Sequence, residues 1–214
     1  MVDAALLETF SARFRRPADA ERTAHPGLYD HPNMPNSWDD FGAVLKSVGG
    51  VLLRPTPTAT AAIEAAITFG QPAHHTTGRI VASAAAATYV KDIPGIEIAT
   101  PTTNPHAWED VDLAIIVAEL ACAENAAVLL TSASLPERAL AFLAQRTLVL
   151  VPENALIGGF MEAQASVAAR FQRGESFHHV TWMSGPSKTA DIEQTLVIGA
   201  HGVCALAVLP LPIA

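Results

Sequence analysis

A three-layer α/β domain with a mainly parallel sheet is the fold this sequence predicts, on three observations. Short apolar, β-prone runs alternate with helical stripes along most of the chain, the order that builds a parallel sheet covered by helices. The 214 residues are enough for one α/β domain with a full core, or one domain with a small appendage. Half the residues are hydrophobic and 16% are charged, a balance that favours a packed core over disorder.

The elements follow in order. Ala4, Leu6, Leu7, Phe10 and Phe14 make a helical stripe over residues 3–16. Residues 17–36 are polar and contain Pro17, Pro26, Pro32 and Pro35, the composition of a lid or extended arm. Residues 1–36 therefore form an N-terminal helix and arm, and residues 37–214 form the α/β domain. Ser37 caps a helix with Asp39 and Asp40 in its first turn, which runs to about Ser47 and ends at Gly49-Gly50. Strands are expected at 51–53, 79–82, 96–98, 113–117, 126–130, 147–151 and 205–209, and helices at 58–69, 136–145 and 160–172.

Several function classes are excluded. The net charge of −8, with no basic run, argues against a general nucleic-acid binder. No apolar stretch reaches the roughly 20 residues that a bilayer demands. Asp3 and Glu8 precede the first basic residue, which is not the pattern of a signal peptide. Cys122 and Cys204 each sit in an apolar run and read as small core residues. Neither belongs to a Cys-x-x-Cys pair, so the chain cannot build a four-thiolate iron–sulfur cluster alone. No Walker A loop or dinucleotide fingerprint is present, and Gly158-Gly159 reads as a simple turn. No metal-ligand spacing appears among the eight histidines; His74-His75 and His178-His179 are neighbours that point to different sides of a strand.

The segment richest in chemistry is Ser184-Gly185-Pro186-Ser187-Lys188-Thr189-Ala190-Asp191-Ile192-Glu193. It lies between a β-prone run and a helix-compatible one, and so reads as strand, tight turn, helix start. Ser187 or Thr189 would cap the helix and Asp191 would sit in its first turn. Free N–H groups there, with three hydroxyls and Lys188, would hold an anion at the carboxyl end of the sheet. The simpler reading is a well-capped helix and nothing more. Asp191 and Glu193, two apart, fall on different faces of a helix and are not an acid–base pair; Glu193 is the one free to reach elsewhere. His201 follows between small residues, with Gly199 and Gly202 letting the chain turn sharply around it.

This segment, with Gly199-Ala200-His201-Gly202 and the final apolar strand, resembles the C-terminal signature of the lactate-utilisation C proteins, small members of the LUD-domain family. The resemblance covers roughly residues 108–211. A second run, Val111 to Ala126, is similar without a gap to the family's Val-Asp-x-Gly-Ile-Thr-Gly-Ala-Asp-Phe-Ala-Ile-Ala-Glu-Thr-Gly. Val111, Asp112, Ile115, Ala118, Ala121, Ala123 and Glu124 match; Ala114, Ile116-Val117 and Asn125-Ala126 stand where the family has Gly, Thr-Gly and Thr-Gly. The resemblance implies a cytoplasmic bacterial protein acting beside iron–sulfur proteins in oxidising L-lactate to pyruvate, with the clusters in the partners and no cofactor in this chain. It implies a fold similar to that of the sugar-phosphate isomerases, CoA transferases and formyltetrahydrofolate cyclo-ligases. Enzymes of similar fold place an acidic residue at the mouth of the sheet, which makes Glu124 the catalytic candidate, on the wall opposite Ser184–Thr189.

Three readings stay open at this point: a component of lactate oxidation, a stand-alone isomerase or transferase acting on a phosphorylated or CoA-linked small molecule, and a non-catalytic binding protein.

Overall fold

Helix α1 (Trp38–Ser47) starts where its capping residues place it. Ser37 Oγ accepts the Asp40 N–H at 3.1 Å, and the Asp40 carboxylate accepts the Ser37 N–H at 3.2 Å, a reciprocal capping box. Phe41 and Leu45, four apart and therefore on one face, are fully buried. Trp38 Nε1 donates to the Glu153 carbonyl at 2.9 Å and ties the helix start to the body of the fold. This computed structural model describes residues 35–54, 58–71, 78–100, 102, 104–190 and 196–212. Asn33–Ala214 forms one unit, to which every element below belongs. The helix expected over 3–16 and the arm up to 34 lie outside the described residues.

The remaining elements run in chain order as β1 (Val51–Leu52), α2 (Ala59–Ala66), β2 (Arg79–Ala82), α3 (Ala87–Val90), β3 (Ile96–Ile98), β4 (Val111–Val117), β5 (Ala121–Cys122) and β6 (Ala127–Thr131). They continue as α4 (Leu140–Leu143), β7 (Arg146–Pro152), β8 (Leu156–Ile157), α5 (Phe160–Gln172), β9 (Val180–Met183), β10 (Lys188–Thr189), β11 (Val197–Ile198) and β12 (Ala205–Leu211). Six strands form a wholly parallel sheet in the order β1-β12-β7-β4-β2-β3. Leu113 and Ile115 on β4 join Leu148 and Leu150 on β7 in a core with Ile63 of α2 and Val90 of α3. Ala114, Ile116, Val149 and Val151 face the other way, onto Phe41 and Leu45 of α1 and Leu140 of α4. The strands are apolar on both faces because both faces are covered.

Two features differ from the sequence expectation. The second face is covered by α1 and α4 together with a smaller sheet, β8-β5-β6-β9, in which β6 runs antiparallel to both β5 and β9. The 126–130 run, expected beside the main strands, belongs to this sheet: residues 123–126 turn the chain back after β5, and Val128 and Leu130 pack onto the core. The helix expected over 136–145 shrinks to α4. Pro136 brings no N–H; Leu140 donates to the Glu137 carbonyl, and Phe142 and Leu143 both donate to that of Ala139, which makes a single turn.

A buried ion pair fixes the amino end of the sheet. Arg79 lies opposite Val111 and Ile80 opposite Leu113, so Asp112 is the extra residue of a bulge. Its carboxylate accepts two bonds from Arg146, at 2.7 and 3.1 Å, and one from the Gly78 N–H at 2.9 Å. Arg146 also donates to the carbonyls of Ile67 and Phe69, just beyond α2. The guanidinium thus satisfies the end of a helix and a bulged strand together.

Candidate functional site

The segment after β9 is a turn and a hairpin, not a turn and a helix. Lys188 and Thr189 of β10 pair antiparallel with Ile198 and Val197 of β11. The correction has a physical cause. Ser, Thr and Asp favour helix caps, but Thr189, Val197 and Ile198 are β-branched and satisfy their backbones better in a ladder. Ser187 spends its N–H on the Val203 carbonyl at 3.0 Å and its own carbonyl on the Gly199 N–H at 2.9 Å. No helix start with free N–H groups is therefore available at Ser187. Asp191 and Glu193 lie outside the described residues.

The tight turn itself is present. Gly185 has φ +72°, and a Cβ there would lie 2.7 Å from the Val48 carbonyl oxygen, so the position admits glycine on both counts. Val48 and Gly49 end α1, and Lys188 Nζ would be 3.5 Å from a Cβ at Gly49. The ammonium thus sits at the carboxyl end of α1, where the helix dipole favours a cation. The Ser184 hydroxyl donates to the Asn125 carbonyl at 2.7 Å and pins the turn to the β5–β6 connection.

These residues wall a cavity of about 330 Å³. Thr181, Ser184, Ser187, Lys188 and His201 are its polar residues; Phe142 and Trp182 supply much of its apolar wall. Ser184, Gly185, Ser187, Lys188 and His201 are thereby brought together from the turn before the hairpin, its first strand and the segment after it. Thr189 belongs to β10 and is not part of the wall. A groove of about 430 Å³ lies between α1 and β1, but its Asp39 and Arg54 neutralise each other in an ion pair.

The cavity is at the amino end of the parallel strands, not the expected carboxyl end. Cys204 donates to the Gln145 carbonyl and Gln145 to that of Val111, which aligns the starts of β12, β7 and β4. Ser187 bonds Val203, two residues before β12. The sequence reading assumed that β9 ran with the main sheet. It belongs to the smaller sheet instead, and the chain leaves it toward the start of β12.

Glu124 is exposed in the β5–β6 turn and is not a wall of the cavity. Its carboxylate accepts the Phe160 N–H at 2.6 Å, and its own N–H donates to Gly158 at 3.0 Å. Gly159, the cap residue of α5, has no side chain to offer, so Glu124 caps that helix from another segment. Neither Glu124 nor neighbouring Asn125 lines the cavity; Asn125 meets the turn only through its carbonyl, which accepts the Ser184 hydroxyl. Ala126 has φ 52°, among the described residues the one positive φ outside glycine. It occupies the position where the family motif carries Gly.

Several residues escaped the sequence reading. Trp182 and Phe142 read as ordinary apolar positions; that they flank a cavity depends on tertiary pairing. Glu137 is buried and neither carboxylate oxygen has a partner, and burial pushes its carboxyl above the usual range. Cys204 is exposed, against the expectation of a core residue, because it lies at the mouth of β12 rather than within it; Cys122 is buried, which raises its thiol pKa. Among the described residues no cluster of three or more His, Cys, Asp or Glu is placed to hold a metal, and no helix is long and apolar enough to cross a membrane.

The family model of the LUD domain matches residues 71–209. Lactate utilization protein C of Geobacillus thermodenitrificans is 30% identical over 100 residues, 46% of this chain and 42% of that protein. Lactate utilization protein C 1 of Bacillus mycoides is 31% identical over 114 residues, 47% of this chain and 49% of that protein. The match therefore spans less than half the length of these relatives. The crystal structure of a DUF162 family protein from Deinococcus radiodurans superposes with a TM-score of 0.59 at 18% identity, over 80% of this chain and 94% of that one. That similarity shows the α/β fold.

Proposed function

This chain belongs to the LUD-domain family, and from that premise we propose that it is a cytoplasmic component of L-lactate oxidation to pyruvate, acting with iron–sulfur partner proteins. The observation that carries the reading is the cavity: residues of the lactate-utilisation C signature converge on it from the turn after β9, from β10 and from the His201 turn. The Ser187 hydroxyl, an ammonium and an imidazole beside an apolar wall suit a small carboxylate such as lactate or pyruvate. Conversion of lactate to pyruvate releases two electrons and two protons. With one buried and one exposed cysteine, this chain cannot hold a four-thiolate cluster, so the electrons pass to clusters in the partners.

The test is anaerobic isolation of the tagged chain from its native cells grown on L-lactate. Proteins with iron, acid-labile sulfide and visible iron–sulfur absorbance should co-purify. Isolation of the chain alone from lactate-oxidising cells would overturn the reading. Lys188 with Ser187 also favours a second one, a stand-alone enzyme acting on a phosphorylated small molecule. That reading requires turnover by the purified chain without partners.

A further inference from the structure

We infer that the edge of β9, unpaired among the described residues, is a docking strand, which an extended acidic segment of a partner protein extends by adding a fifth strand to the smaller sheet.

The backbone directions come first. Leu129 of β6 directs both its N–H and its carbonyl toward the β5 side, donating to the Leu120 carbonyl and accepting from the Glu119 N–H just before β5. Trp182 lies directly opposite Leu129 on β9 and Val180 opposite Thr131. In an antiparallel ladder such opposed residues both turn their backbone groups away from each other. The N–H and carbonyl groups of Val180 and Trp182 therefore point outward from the sheet. Neither finds a backbone partner among the described residues.

This edge is built unlike the others. Of the edge strands β1, β3, β8 and β9, β9 is the longest, at four residues. Proteins blunt free edges with proline, inward charge or bulges, and β9 has none of these three. The cavity lies alongside its Thr181–Met183 stretch, with Phe142, 42% exposed, across the gap.

Charge selects the occupant. Among the described residues four Lys or Arg side chains form no ion pair: Lys46, Lys91, Arg138 and Lys188. Two of them flank β9. Arg138 is near enough to His179, just before the strand, that its charge adds to burial in lowering that imidazole's pKa. Lys188 and His201 stand at the other end. In a chain of net charge −8 this local basic rim calls for an acidic partner. It disfavours a second copy of this chain, because antiparallel edge pairing about a two-fold axis would set the Arg138 end of one copy against the Lys188 end of the other.

The inference adds a surface to the lactate reading without depending on it, and its test reads backbone protection rather than lactate oxidation. The probe is a capped peptide of about eight alternating Glu and Val residues, a typical strand length, added to the full chain while amide exchange is followed by NMR. Exchange at Val180 and Trp182 should slow by about tenfold or more, with Thr181 and Met183, already bonded to β6, unchanged. Lys in place of Glu, N-methylation of alternate peptide nitrogens, or the paired change Arg138→Glu and Lys188→Glu should each weaken binding by about tenfold, near 1.4 kcal/mol. The inference is overturned if the peptide leaves the Val180 and Trp182 amides unprotected. It is equally overturned if L-lactate or phosphate binds there and the peptide does not, or if light scattering shows copies of the chain pairing through β9.

Discussion

Ala126 holds a left-handed backbone at φ 52° in the turn between β5 and β6, a conformation that costs an L-residue with a Cβ about 1–2 kcal/mol. Asn125 Oδ1 accepts the Ala127 N–H at 3.1 Å and helps to impose it. Replacing Ala126 by Gly relieves the strain, partly offset by the greater freedom of glycine in the unfolded chain. The expected net gain is up to about 1 kcal/mol, read as a raised urea midpoint at unchanged slope. Glu137 makes the second residue-scale prediction. Burial raises its folded pKa above the unfolded value, so its contribution to stability is complete below about pH 4.3 and is lost as pH rises through the folded pKa. Glu137→Gln removes that titration. Denaturation across the acid-to-neutral range should show the variant gaining stability relative to the parent chain as pH rises, reaching about 1–3 kcal/mol at pH 7. A parent chain whose stability climbs over the same range as much as the variant's would contradict this.

At the scale of elements, the caps were legible and the pairings were not. Ser37 with Asp40, Thr58 before α2 and Gly49 after α1 act through bonds a few residues long, so their spacing alone placed those helix ends. The 184–198 segment was misread because cap-forming residues also suit turns, and only the partners β10 and β11 find in each other decide between the two. The cap on α5 was invisible for the same reason: Glu124 and Phe160 are 36 residues apart. That bond gives a third prediction. Glu124→Ala should cost about 1 kcal/mol of stability through lost capping, measured by thermal or urea unfolding. A loss of function without a loss of stability would instead restore Glu124 to the catalytic role that the sequence suggested.

For the whole molecule, alternation of apolar runs with helices disclosed the parallel sheet, but nothing local announced the smaller sheet or the end at which the cavity opens. Those depend on where β5, β6 and β9 pair, and on the Asp112–Arg146 pair that ties β4, β7 and the carboxyl end of α2 together. Arg146→Met should cost about 3–5 kcal/mol because it strands a buried carboxylate, whereas Arg146→Met combined with Asp112→Leu should cost much less; urea unfolding of the two variants decides it. The central proposal, that this LUD-domain chain serves lactate oxidation, is tested most directly by deleting its gene in the native host and measuring growth on L-lactate against growth on pyruvate. Growth on lactate should be lost and growth on pyruvate kept, with lactate growth restored by the intact gene and not by one carrying Lys188→Glu. Undiminished growth of the deletion strain on L-lactate would contradict the account.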